Sequence, residues 1–187
     1  MISCSLKRME DKIKTFAAFG DTGKGGVTRF SLSPEALSAR AEFVRRMEAI
    51  GCAVASDDMA NLYATLPGAE NLPAILTGSH LDSVKKGGNY DGVLGVLSAM
   101  EALETVVREK IPHRHPLTAM VWTNEEGARF EPAMMSSGVV CGKFDKEKML
   151  ASVAKDAPGL TFGEALRKSG YAGDEKKCDQ TAEHQRI

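Results

Sequence analysis

The sequence predicts an α/β fold, in which short strands and amphipathic helices alternate around one sheet. Three observations carry that expectation. Two apolar, strand-like runs, Pro73–Thr77 and Leu117–Thr123, flank a helical pattern that begins after Asp91 and repeats Val93, Leu94, Val96, Leu97, Met100, Leu103, Val106 and Val107, the order of a βαβ unit. Each run leads at once into a glycine-flanked loop with metal-binding or acid–base side chains: Gly78-Ser79-His80-Leu81-Asp82 after the first, Asn124-Glu125-Glu126-Gly127 after the second. Open α/β sheets place their sites at these carboxyl ends. The chain has 187 residues, 43% of them hydrophobic, enough for the core of one domain.

Composition excludes several classes of function. Lys+Arg (24) and Asp+Glu (25) nearly cancel, so no overall field draws the chain to nucleic acid or to an anionic membrane, and a small polar ligand is expected. The four cysteines are widely spaced with no C-x-x-C pair, which excludes a disulfide framework or zinc knuckle and fits reduced thiols in a cytoplasm. Charges interrupt the N-terminal stretch MISCSLKRMEDKIKTF before a signal-peptide core could form, and no apolar run reaches the roughly 18 residues of a membrane span.

Taken in order, residues 20–30 (GDTGKGGVTRF) are glycine-rich, but the lysine that a phosphate-binding P-loop needs after its second glycine is missing, so a flexible surface loop is expected. A helix follows from the N-cap Ser33, with Pro34 at N1, apolar positions Leu37, Ala41, Val44, Met47 and Ile50, and a stop at Gly51. Cys52 to Leu66 reads as two strands around Ser56-Asp57-Asp58, whose carboxylates are expected in water, and Pro67-Gly68 closes the hairpin. Pro73–Thr77 has no strict alternation, as in a strand buried on both faces. Asp91 stands at the entrance of the next helix, where free amides and the dipole favour a carboxylate. His113 and His115, between Pro112 and Pro116, belong to an exposed connection. Beyond the second strand, short helices are expected at Met134–Cys141 and Asp145–Ala154, and Thr161-Phe162-Gly163-Glu164 is a capping box for a helix ending at Ser169-Gly170. The polar stretch after Tyr171 reads as a frayed terminus.

Hydrolysis of an amide requires an activated water and stabilisation of charge on the carbonyl oxygen, and one or two divalent metals supply both. His80 could bind one ion through a neutral imidazole, with Asp82 fixing its tautomer. Asp91 could bridge two ions at the usual spacing of about 3.5–4 Å. Adjacent glutamates point apart, so one of Glu125 and Glu126 would bind metal and the other would take a proton from water.

In that order and spacing, GSHLDSV, GGNYDGVLGV and NEEGARF resemble the metal-dependent amidohydrolases of the M20 peptidase superfamily. The branch is that of N-carbamoyl-L-amino-acid hydrolases, β-ureidopropionases and allantoate amidohydrolases, whose N-terminal region GGVTRFSLSPEALSAR and DDMANLYATLPG also resemble. The likeness runs from about Gly25 to Gly170. It implies a three-layer αβα catalytic domain of the di-metal aminopeptidase type, with His80 on one metal, Asp91 bridging, Glu126 on the second, Glu125 as general base and Asp82 orienting His80. It also implies two divalent ions (zinc, or manganese, nickel or cobalt), a carbamoyl or ureido amino-acid substrate and a homodimer in the full-length family.

Full-length members of that family continue with a His-Ile-Glu-Gln-Gly type segment, a lid or dimerisation domain, and a second half with further histidine, arginine and asparagine residues. None of these is found here. Glu183-His184-Gln185 lies near where the histidine segment is due, but its neighbours differ, and His184 is not taken as a ligand. The expected organisation is an N-terminal extension (1–24), the first part of the catalytic domain (25–170) and a divergent tail (171–187), with lid and dimerisation domain absent. The expected function is that of an N-terminal fragment of an amidohydrolase with little activity alone. The alternatives are an interaction module or half of a split enzyme, and an M20 peptidase or deacylase.

Overall fold

The computed structural model describes residues 3–173. In chain order the elements are α1 (Leu6–Ala17), α2 (Pro34–Ala49), β1 (Ala53–Ser56), β2 (Leu62–Leu66), β3 (Ile75–His80), α3 (Val93–Arg108), β4 (Leu117–Trp122), α4 (Met135–Val140), α5 (Lys146–Leu150) and α6 (Phe162–Ser169). The strands form one sheet in the order β1-β2-β4-β3. β1 and β2 make the expected antiparallel hairpin, β2 runs antiparallel to β4, and β3 and β4 are parallel with α3 between them in sequence, so the mixed α/β architecture is present. Their register sets His80 beside Trp122, and the two loops therefore leave the sheet at adjacent points.

Alternation along β2 and β4 turns Leu62, Ala64, Ala119 and Val121 to one face, where they share a core with Phe16 of α1, Ala39, Phe43 and Met47 of α2, and Val96, Leu97 and Met100 of α3. The other face carries the cross-strand pair Thr65 and Thr118, whose hydroxyls meet at 2.9 Å. A second cluster, including Met59, Phe130, Met135, Phe162 and Leu166, seats α4 and α6, with Phe130 edge-on to Phe162. The capping box forms as expected: Thr161 accepts from the Glu164 amide and Glu164 accepts from the Thr161 amide. No helix among the described residues is long and apolar enough to cross a membrane.

Four expectations are modified. The α2 stripe is rotated: Ser33 caps it, but the buried residues are Ala36, Ala39, Arg40, Phe43 and Met47, because the largest apolar side chain, Phe43, turns inward and contributes roughly 1.5–3 kcal/mol by burial. β3 is not buried on both faces. It forms a sheet edge with Ile75 55% and Leu76 37% exposed, since β4 is its only strand neighbour among the described residues. Residues 20–30 are tied down instead of free: Val27 and Gly87 exchange backbone hydrogen bonds of 2.9 and 2.7 Å, and Val27 and Arg29 are buried. Asp57 is also buried and accepts bonds from the Met59 and Asn61 amides, the Asn61 side chain and the Tyr63 hydroxyl, while Asp58 pairs with Lys146.

Residues before Gly25 contribute α1, which is clamped to α3. Lys12, 2% exposed, lies 2.8 Å from both Glu101 and Glu104, and Arg8 and the Ser5 amide also bond Glu101. Burial would raise the Glu101 carboxyl, but its donors hold it down to about 2. A carboxyl depressed from the ordinary 4.5 stabilises the fold above that pH, and the contribution fades as pH falls towards 2. Glu101→Gln is expected to cost about 3 kcal/mol at neutral pH, the low end for breaking a buried pair because Lys12 keeps Glu104. Urea melts at neutral pH and at pH near 3 check this: the deficit should shrink in acid.

Candidate active site

His80 closes β3 and is 5% exposed. Its Nδ1 lies 2.9 Å from the Asp82 backbone carbonyl. A carbonyl only accepts, so Nδ1 carries the hydrogen and Nε2 is the nitrogen presented to the site. Nε2 stands 3.3 Å from Glu125 Oε2, a contact that is attractive when one of the two groups holds a proton between them. From the other side the ring meets Gly92, the N-cap of α3. A Cβ built there would fall 2.3 Å from His80 Cε1 and Nε2, and the backbone has φ +65°, so only glycine fits. Asp91, the neighbouring residue in the chain, is exposed.

The Asp82 carboxylate does something the sequence did not suggest. Its Oδ1 is 3.8 Å from His80 Nδ1, too far for a hydrogen bond. Instead Oδ1 accepts the Glu125 amide at 3.3 Å and Oδ2 accepts the Glu126 amide at 3.2 Å. Ring orientation thus falls to the main chain of Asp82, while its carboxylate joins the two strand-end loops. Burial raises the Asp82 carboxyl pKa against the opposing pull of His80 and these two amides. Glu126 is also raised, first by burial and then by Asp91, Asp82 and Glu125, with His80 opposing, so an imidazole and four carboxylates influence one another here.

The loop after β4 is held by residues that motif reasoning passed over. The Thr123 amide reaches Asn61 Oδ1 and Ser136 Oγ, and its hydroxyl donates to the Ala60 carbonyl. Asn124, with φ +57° and fully buried, donates to the Phe130 and Pro132 carbonyls, and its Oδ1 has no hydrogen-bond partner among the described residues. Arg40 underlies Thr123, and Arg29 underlies Leu81. One signal was available for Arg40: it is a charged side chain between the buried positions Ala39 and Phe43. His113 and His115 lie before β4, at the opposite end from the site, and bond the carbonyls of His115 and Pro73.

Donor chemistry suits a hard or borderline divalent cation, with one imidazole nitrogen turned outward and carboxylates around it. The count is short: among the described residues no group of three or more His, Cys, Asp or Glu side chains is arranged to hold a metal ion. His184 lies outside the described residues.

The mixed sheet carries His-x-Asp and Glu-Glu at the ends of adjacent parallel strands, and known hydrolases share this fold. A family model described as peptidase family M28 matches residues 61–151. N-carbamoyl-L-amino-acid amidohydrolase of Rhizobium meliloti is 40% identical over 90% of this chain and 40% of its own length, and allantoate amidohydrolase of Bacillus subtilis is 33% identical over 86% and 39%. The crystal structure of a hydantoinase/carbamoylase family amidase from Burkholderia ambifaria superposes with a TM-score of 0.89 at 36% identity, over 92% of this chain and 42% of that one. Over about nine tenths of its length the chain is similar to these hydantoinase/carbamoylase-type amidohydrolases. It spans about two fifths of the length of the relatives it matches, and within that share it has their catalytic-domain fold.

The Gly92 contact is directly testable. Gly92→Ala should lower stability by roughly 2 kcal/mol or more, from the positive φ and the overlap with His80, and should shift the His80 ring resonances in a two-dimensional NMR spectrum. Wild-type stability with unmoved His80 signals would show that the ring has room.

Proposed function

We propose that this chain is the catalytic-domain segment of a metal-dependent amidohydrolase that cleaves the C–N bond of N-carbamoyl-L-amino acids or related ureido compounds such as allantoate or 3-ureidopropionate. The observation that carries it is His80 Nε2, 3.3 Å from Glu125 and with its imidazole and Asp91 both acting on the Glu126 carboxyl, in a fold shared with relatives named for such substrates. In this proposal His80, Asp91 and Glu126 would hold the divalent metal. A bound ion would polarise the scissile carbonyl and ease deprotonation of water. Glu125, with its carboxylate 3.3 Å from the imidazole and a third of its side chain exposed, takes the proton from the attacking water and returns it to the leaving nitrogen. Asp82 holds the two loops at fixed spacing. Near-neutral charge suits a small-molecule enzyme of the cytoplasm, and the homodimer of full-length relatives is not assigned to this segment.

Zinc, manganese, nickel or cobalt fits these donors, but the number that converge is below the four of a closed zinc site. The 187-residue chain alone should therefore bind manganese or cobalt weakly and hydrolyse carbamoyl amino acids or allantoate at a small fraction of ordinary enzyme rates. Titration calorimetry should show binding that His80→Ala and Asp91→Asn each reduce by about 10-fold or more. Absence of any His80-dependent binding would refute the metal assignment. Turnover at ordinary rates would refute the need for further ligands.

A second function, as a pairing module, has one observation in its favour: the uncharged edge β3 exposes Ile75 and Leu76. It predicts self-association that Leu76→Lys abolishes. A strict monomer at high concentration by light scattering would exclude pairing between copies.

A further inference from the structure

Two arginines are buried beneath the site, one under each loop. Arg29, 1% exposed, donates from Nε to the Leu81 carbonyl at 2.6 Å and from Nη1 to the Phe16 and Phe19 carbonyls at 2.7 and 2.9 Å. Its amide donates to Ser83 Oγ at 2.9 Å, and its carbonyl accepts the Ser83 amide at 2.9 Å. Arg29 thus grips the residue before and the residue after Asp82. Arg40, 4% exposed, donates from Nη1 to Thr123 Oγ1 at 3.1 Å and from Nη2 to the Ala60 carbonyl, with its guanidinium 4.8 Å from the Tyr171 ring centroid. Thr123 lies two and three residues before the amides that Asp82 accepts.

Among the described residues neither guanidinium has a carboxylate within ion-pair distance, although every other buried cation, Lys12 and Arg129, has one. A buried cation without a partner is costly, and an apolar side chain would fill either place more cheaply. Both guanidinium groups lie instead below the acidic end of the sheet. Burial lowers each to about 10, which leaves both charged at neutral pH, and Asp82 opposes the fall in each, together with Tyr171 and Asp57 at Arg40.

We propose that Arg29 and Arg40 are positioning residues for the site, one to each loop. Arg29 fixes the turn that lets the Asp82 carbonyl select the Nδ1–H form of His80, and Arg40 fixes Thr123 so that the Glu125 and Glu126 amides meet the Asp82 carboxylate. The proposal rests on His80 and Glu126 being the working groups of the amidohydrolase, and it is tested without metal so that the two can fail separately.

The experiment uses the 187-residue chain, isotopically labelled and metal-free, with Arg29→Met and Arg40→Met, which remove the charge and keep most of the volume, and the corresponding Lys variants, which keep the charge without the planar fork. Wild type should show His80 protonated at Nδ1 alone. Arg29→Met should give a mixture of ring tautomers, and Arg40→Met should speed hydrogen exchange at the Glu125 and Glu126 amides about 10-fold or more while exchange in the core strands changes less. Lys variants should fall between. Cobalt affinity should drop about 10- to 100-fold in both Met variants. Folded variants with wild-type tautomer, exchange and cobalt affinity would overturn the proposal, and if the Met variants do not fold, wild-type values in the Lys variants overturn it. A wild-type chain that binds no cobalt through His80 refutes the amidohydrolase assignment, while the tautomer and exchange measurements still decide the arginines.

Discussion

The Asp82 carboxylate is the constraint on which the site depends. It accepts one backbone amide on each oxygen, from Glu125 and from Glu126, and so ties the loop after β3 to the loop after β4. Besides that tie the two loops meet where their strands end, His80 beside Trp122, and at the 3.3 Å contact of His80 Nε2 with Glu125. The same residue turns the His80 ring through its own carbonyl. One position thus sets both the rotation of the imidazole and its distance from the glutamates, and a 1 Å error in such spacing is enough to impair catalysis. The arrangement also explains the choice of aspartate. A longer side chain would reach the same amides only by moving the turn that carries His80.

Buried charge is managed in two ways in this protein. Between α1 and α3 it is neutralised locally, with Lys12 and Arg8 set against Glu101 and Glu104 at 2.6–3.5 Å, so that burial costs are offset within the network. At the site it is left unbalanced. Asp82, Asp91, Glu125 and Glu126 influence one another around a single imidazole, and the carboxyl groups of Asp82 and Glu126 are raised. The first arrangement makes a rigid platform. The second leaves negative charge that a cation can compensate, as perturbed groups at functional sites commonly do.

The main architecture was legible in the sequence because it rests on local signals. Ser33-Pro34 and Thr161-x-x-Glu164 cap their helices as expected, and the helix after Asp91 ends at Arg108. The site was legible in outline, since His80, Asp82 and the Glu pair follow strands. What could not be read was tertiary. The fate of β3 depends on which strands flank it, the burial of residues 20–30 depends on Gly87, and the use made of Asp82 depends on a loop 43 residues away. Arg29 left no signal and Arg40 only a faint one for a related reason: side-chain bonds to distant carbonyls leave no periodic trace, and a charged residue defaults to the surface unless a partner is known.

Several exposed apolar residues lie on the segments that lead to and from the candidate site. Among the exposed large apolar residues, Ile75 and Leu76 are on β3, Val84 and Tyr90 are on the loop that follows, Leu94 is on the first turn of α3, and Met134 ends the glutamate loop. Ile75 opens the strand that His80 closes, and Tyr90 precedes Asp91 in the chain. The shortage of metal donors is found at the same place. An amide-cleaving site needs more than ligands, because it must exclude bulk water to strengthen the electrostatics on which it relies. Apolar residues around a polar centre are suited to being covered by further polypeptide, and cover on this side could supply both missing donors and dehydration. The matched relatives are more than twice as long as the segment they share with this chain. The Asp82 tie, with Arg29 and Arg40 bonded to the residues beside it, holds the two strand-end loops in register without such cover.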